Sequence, residues 1–134
     1  MKPAQAFDGL ALGTGENSLF GSCVVNARHF TAFGMIHDIA GGTMADPNVV
    51  RLMNPMNYIE TRDAICTGFW RIRHGTADRD TSLAISTILA TRLANNGCSV
   101  DFAMPWAQGH GGDYDLDELF SWVDSICRQV PSKR

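Results

Sequence analysis

Gly68-Phe69-Trp70-Arg71-Ile72-Arg73-His74 reads as a β-strand, and Gly75 stops it. Ser82 to Asn96 follows as a helix, with Leu83, Ile85, Ile88, Leu89 and Leu93 on its apolar face and Gly97 as its stop. Ser99 to Met104 is a second strand. Its Val100, Phe102 and Met104 alternate with Ser99, Asp101 and Ala103, and Pro105 ends the run. The last helix starts at Asp115, with Glu118 placed for a capping-box-like start. Leu116, Leu119, Phe120, Val123, Ile126 and Cys127 then recur at helical spacing. The order β-α-β-α predicts an α/β class in which two parallel neighbours are joined by a right-handed crossover. Parallel strands are nearly always buried on both faces of a larger sheet, and two alone leave both outer edges unpaired. The expectation is therefore an incomplete α/β fold.

Outward from this unit, the chain changes character near residue 67, which divides it into 1–66 and 67–134. Gly9, Gly13, Gly15, Gly21, Gly34, Gly41 and Gly42 interrupt the first part. Short helices are expected at Phe30–Asp38 and Asp46–Met53, with a turn over Met53–Tyr58. Residues 1–66 read as a helical and loop insertion rather than an independent core. Residues 67–134 read as the β-α-β-α portion of a sheet. His29 and His37 read as ordinary, partly buried histidines, and His74 and Arg79 as supports for the loop after the first strand.

Composition bounds the function. The 134 residues suit one ordinary domain, 45% hydrophobic and 19% charged. A net charge of −3 gives no basic face for nucleic acid and no polybasic membrane patch. No apolar run approaches the ~20 residues that cross a bilayer. Met1-Lys2-Pro3-Ala4 is not followed by the apolar stretch of a signal peptide. Cys23, Cys66, Cys98 and Cys127 form no C-x-x-C pair and bear no relation in spacing to the histidines, so neither a metal site nor a redox motif is expected. They read as small buried hydrophobes, with no disulfide assignable from sequence.

One constellation carries chemistry. In open α/β sheets, functional residues collect at the carboxyl ends of strands. Asp78 lies just past the first predicted strand and His110 just past the second. Adjacent parallel strands run about 4.8 Å apart, so the two loops emerge side by side and a carboxylate on one can reach a ring nitrogen on the other. A histidine held by a carboxylate has its tautomer fixed and a pKa near neutrality, as a general base requires. Gly109, Gly111 and Gly112 leave the imidazole uncovered. Asp80 has a second reading, as the cap of the helix beginning near Thr81 or Ser82. Glu16, in a glycine-bounded loop, and Lys2, beside the start of the chain, have surface roles as their default.

An acid followed by a histidine, each after one of the last two strands, resembles the α/β-hydrolase family. Within it, Trp70-Arg71-Ile72-Arg73-His74-Gly75, Asp78-Arg79-Asp80-Thr81-Ser82 and Gly112-Asp113-Tyr114-Asp115-Leu116-Asp117-Glu118-Leu119-Phe120 resemble the C-terminal part of bacterial tannase-like and feruloyl-esterase-like carboxylic ester hydrolases. The separation of 32 positions between Asp78 and His110 fits as well. Ala6-Phe7-Asp8 and Glu16-Asn17-Ser18-Leu19-Phe20-Gly21 are similar to the segment between the lid and the later strands. The resemblance implies Asp78 as triad acid and His110 as general base and acid. It implies Asp80, Glu16 and Lys2 as contacts to the phenolic hydroxyls of a small aromatic ester. It implies no cofactor and no metal. Fungal-type relatives carry a cysteine directly after the histidine. Gly111 stands there in this chain, so their disulfide is not expected.

No serine of the chain has glycine at both −2 and +2, so the G-x-S-x-G elbow of the family is not found. The resemblance places nucleophile and oxyanion loop before Met1. The expectation is a C-terminal portion of a serine carboxylesterase, inactive alone, whose partner is the N-terminal portion of the hydrolase. The competing reading is a non-catalytic α/β module that binds a protein through its open sheet edge.

Overall fold

Local chemistry sets the elements of the second half. In the computed structural model, which describes residues 7–61, 63–112 and 114–129, β1 spans Phe69–Arg73 and β2 spans Ser99–Ala103. They pair in parallel, in a register that runs from Phe69 opposite Ser99 to Arg73 opposite Ala103. Between them a helix occupies Leu83–Asn95, and after β2 another occupies Leu116–Gln129. The Ser82 side chain caps the first of these by accepting from the Ala84 N–H, and Gly97, at φ +79°, ends it in the left-handed region. Each element falls within a residue or so of its expected bounds.

The chain divides into two compact units, Met1–Ile65 and Cys66–Arg134. The first holds α1 (Gly15–Leu19), α2 (Ala32–Ile36) and α3 (Pro47–Met53), with a 3-10 turn at Pro55–Asn57. The helices of the second unit are then α4 (Leu83–Asn95) and α5 (Leu116–Gln129). The helix expected over Phe30–Asp38 is shorter, because the Thr31 hydroxyl accepts from the Gly34 N–H and so caps α2 from an extended backbone. α3 starts where expected, with Asp46 as cap and Pro47 in its first turn. α1 was not anticipated. Thr14 caps it through the Asn17 N–H, and Glu16 sits in its first turn rather than in an open loop.

The centre of the first unit is polar. Among its described residues Ala45 alone is a buried hydrophobe, whereas Asp8, Asn17 and His29 are 2%, 0% and 0% exposed. Asp8 accepts five hydrogen bonds. Oδ1 takes the Asn17 amide and His29 Nδ1, and Oδ2 takes the Phe30 N–H, the Thr31 N–H and the Thr31 hydroxyl. The other ring nitrogen of His29 meets Asp38 Oδ1 at 3.0 Å. Carboxylates only accept, so both ring nitrogens carry protons and the buried ring is an imidazolium. This corrects the reading of His29 as an ordinary, partly buried histidine. His37 is exposed, packed on the Phe33 ring. Burial pushes the Asp8 carboxyl up, but the bonds from Thr31, His29 and Asn17 outweigh it and hold it at about 2. Asp38 is also held at about 2, first by His29. Burial lowers the His29 pKa, yet the bonds to Asp38 and Asp8 prevail and raise it.

In the second unit α4 packs on both strands through Ala90 and Leu93, which is fully buried. Two strands cover little of a helix. Ile85 and Ile88, expected on the packed face of α4, are 51% and 57% exposed, and Phe120 of α5 is 65% exposed. The cysteines are not the buried hydrophobes expected: Cys23, Cys66 and Cys127 are exposed and Cys98 is half-buried, all with free thiols. They lie at loop and helix margins that this small core does not reach. No described helix is long and apolar enough to cross a membrane.

Candidate active site

The loops after β1 and β2 are stitched together. The Thr76 N–H donates to the Pro105 carbonyl at 3.0 Å, the Ala77 N–H to the Gln108 carbonyl at 2.9 Å, and the Ala107 N–H to the Thr76 hydroxyl at 2.8 Å. Gly75 makes the approach possible, because a Cβ there would collide with the Gln108 and Gly109 carbonyls. Ala107, at φ +58°, bends the second loop in the left-handed region.

On this frame Asp78 Oδ2 and His110 Nδ1 lie 3.0 Å apart. The carboxylate is sheltered, its side chain 6% exposed, whereas the imidazole is 58% exposed. Asp78 Oδ1 accepts from the Asp80 and Thr81 N–H groups at 2.8 and 3.0 Å. Burial alone would raise the Asp78 carboxyl. The Thr81 and Asp80 N–H groups and His110 instead hold it at about 2, so it stays ionised. His110 is raised, first by its hydrogen bond to Asp78, then by the Asp78 charge, with a further contribution from Asp80. The pair faces a cleft of about 280 Å³ that Arg73, His74, Ser86 and Tyr114 also line. His74, buried, is held by its Nδ1 at 3.0 Å from the Ser86 hydroxyl.

Asp80 stands beside the pair, and single ligand-type atoms of Asp78, Asp80 and His110 fall within 4.8 Å of one another. Such a set can hold a cation, but the Nδ1 and Oδ2 atoms sit at hydrogen-bond distance, an arrangement suited to moving a proton. The α4 cap is Ser82, so Asp80 does not play the capping role that sequence left open. Glu16 lies in the first unit on α1, and Lys2 lies outside the described residues. The structure thus brings Asp78, Asp80 and His110 together.

Sequence reasoning missed an ionic brace behind the site. Arg71 and Arg73, on one face of β1, both donate to Asp115 Oδ2, at 2.7 and 3.0 Å for Arg71 Nη2 and Arg73 Nε. Arg73 also grips the Asp101 carboxylate, and Arg71 Nη2 reaches Glu118 at 3.3 Å. Asp115 and Glu118 had been read as a capping box. Their carboxylates engage the arginines of β1 instead and tie the end of the His110 loop to the strand that leads into the Asp78 loop. The i, i+2 arginines facing acids on a paired strand were the available signal.

Parallel strands with an acid and a histidine at their carboxyl ends define an α/β protein with an acid–base pair at the usual functional edge. No protein-family model and no curated relative matches the chain. Solved structures do. The crystal structure of tannase from Lactobacillus plantarum is 47% identical over 95% of this chain and 27% of that one, with a TM-score of 0.90. A tannin acyl hydrolase in complex with ethyl gallate is 46% identical over 95% of this chain and 28% of that one, TM-score 0.88. Fusobacterium nucleatum tannase is 49% identical over 94% of this chain and 28% of that one, TM-score 0.83. The chain belongs to the tannase-like family, and it spans a little over a quarter of the length of these tannases.

Proposed function

We propose that this chain is the C-terminal, acid–base portion of a serine carboxylesterase that hydrolyses galloyl or related phenolic esters. The observation that carries the reading is the 3.0 Å contact between His110 Nδ1 and Asp78 Oδ2, in a chain similar to tannases of which one was solved with ethyl gallate. With Nδ1–H donating to Asp78, the His110 Nε2 is left as the basic atom, available to take a proton from a serine hydroxyl and return it to the leaving alcohol. Asp78 fixes this tautomer and stabilises the imidazolium, while its two backbone N–H bonds keep it ionised throughout. The nucleophile and the oxyanion donors come from outside this chain. The exposed α4 and α5 faces support the reading as part of a larger sheet protein.

Asp80, beside the pair, is assigned to accept hydrogen bonds from the hydroxyls of the substrate ring. Glu16 and Lys2 are assigned to the same hydroxyls on the family resemblance alone. A site built around such polar groups rejects a ring without hydroxyls, because its own groups would then be left unpaired. Residues up to 66 are read as the insertion next to the lid.

The test combines the chain in trans with the preceding portion of a tannase-like hydrolase and follows release of gallate from a gallate ester. The expected result is turnover only in the mixture, lost by about a thousandfold or more in His110→Ala. Turnover by the chain alone would overturn the proposal. Stable association with no hydrolysis would favour the competing reading, an open-edge binding module.

A further inference from the structure

The cleft that holds the acid–base pair contains a second imidazole, which the proton transfer leaves idle. His74 follows β1 directly, and its backbone N–H donates to the Ala103 carbonyl at 3.2 Å. The residue is 6% exposed and still lines the cleft beside Asp78 and His110. Its Nδ1 lies 3.0 Å from the Ser86 hydroxyl, on α4. Nε2 has no hydrogen-bond partner among the described residues, yet it is not one of the buried atoms sealed away unsatisfied, so it stays open to solvent. The open space against His74 is the cleft of about 280 Å³.

The neighbouring polar groups are already engaged. Asp78 gives Oδ1 to two backbone N–H groups and Oδ2 to His110, and the Arg73 guanidinium is held by Asp101 and Asp115. A polar atom so deep in a wall gains from a partner that enters the cleft, because burial strips away most of its water. Ser86 makes the ring adaptable, since a hydroxyl both donates and accepts and so serves either tautomer. With Nδ1–H donating to Ser86 Oγ, Nε2 is an acceptor. A phenol hydroxyl, which keeps its proton at neutral pH, is the matching donor.

We propose, on the esterase reading above, that His74 determines substrate specificity: its Nε2 accepts a hydrogen bond from a hydroxyl on the aromatic ring of the bound ester. Proton transfer stays with His110. Asp80 in the loop and His74 at the end of β1 are then two acceptors on different parts of the frame, suited to a ring with more than one hydroxyl. A ring without hydroxyls strips water from Nε2 and returns nothing, and is rejected for that reason.

The wild-type chain, isotope-labelled at its histidine nitrogens, is titrated by NMR with 3,4-dihydroxybenzoate, the ligand of one of the tannin acyl hydrolase structures, and separately with benzoate. Both titrations are run on the chain alone and after mixing with the preceding portion of a tannase-like hydrolase. The His74 Nε2 signal is expected to shift with the first ligand and not with the second. A signal unmoved by 3,4-dihydroxybenzoate in both preparations, or moved equally by benzoate, overturns the proposal. Turnover in the mixture is the second measurement. His74→Phe keeps a planar ring without an acceptor. It should lower the preference for ethyl gallate over ethyl benzoate about tenfold, the worth of one hydrogen bond, and leave kcat/KM for ethyl benzoate unchanged. Equal losses on both esters would reduce His74 to a structural strap and refute the contact. The two readings fail separately. A mixture that hydrolyses neither ester while His74 still answers to 3,4-dihydroxybenzoate sinks the esterase reading alone, whereas His110-dependent hydrolysis with a silent His74 sinks only the contact.

Discussion

Asp8→Asn tests whether the first unit is organised by its buried ion cluster. The side chain keeps its size but turns one acceptor oxygen into a donor. If the new NH2 takes the place of Oδ2, it faces the Phe30 and Thr31 N–H groups, which lose their acceptor. If it takes the place of Oδ1, it faces the Asn17 amide and His29 Nδ1. Asn17 cannot flip to compensate, because its Oδ1 already accepts from the Gly9 N–H and the Thr14 hydroxyl. Either way two buried donors are orphaned, at roughly 1–3 kcal/mol each, or about 4 kcal/mol in all. Set against a whole-protein stability of roughly 5–15 kcal/mol, that is a large share. Hydrogen exchange at pH 6 is the assay, with amides of residues 28–45 reporting. A loss of about 4 kcal/mol accelerates their exchange through opening by about a thousandfold. Amides of α4 and β2, which carry none of these bonds, serve as the internal control. An acceleration below about tenfold would refute the claim that this cluster, rather than apolar burial, holds the unit.

Three further outcomes follow from the same geometry. The first unit should be most stable between about pH 4 and pH 6.5: Asp8 and Asp38, held at about 2, lose their contribution as pH falls through that value, and His29, raised above 6.5, loses its contribution as pH rises through its elevated pKa. A stability profile flat from pH 5 to pH 9, measured by urea denaturation, would contradict the imidazolium. Asp78→Asn should return the His110 titration, followed by NMR, toward the ordinary value of 6.5 and leave Nδ1 without its acceptor; an unmoved midpoint would mean that Asp78 does not hold the ring. Asp115→Asn weakens the shared acceptor of two arginines, one of them with a side chain only 5% exposed, and should destabilise the second unit by about 2–4 kcal/mol. Fluorescence of Trp70, Trp106 and Trp122, all in that unit, reads the change, and a loss under about 0.5 kcal/mol would remove the brace from the account.

The β-α-β-α order was legible because its signals are local. Val100 and Phe102 alternate with polar neighbours, Ser82 and Gly97 bound α4, and Pro105 ends β2, each acting on its own few residues of backbone. The positions of Asp78 and His110 were legible for a related reason: parallel pairing sends both following loops to one edge. The first 66 residues were harder. Their helices are short, and a hydroxyl cap at Thr31 or Thr14 settles a boundary that no hydrophobic period marks.

The sequence by itself determined the α/β class, the parallel pair, and an acid and a histidine placed to meet. All of these follow from the periodicity of side chains along one segment and the handedness of its connections. Only the tertiary structure decided that His29 is a buried imidazolium between Asp8 and Asp38, that Asp115 belongs to Arg71 and Arg73 rather than to a capping box, and that Asp80 sits beside the Asp78–His110 pair instead of capping α4. Those partners lie up to 44 positions apart. Hydrogen bonds and ion pairs over such distances leave no period in the chain, and they exist only once the backbone has brought the donors to their acceptors.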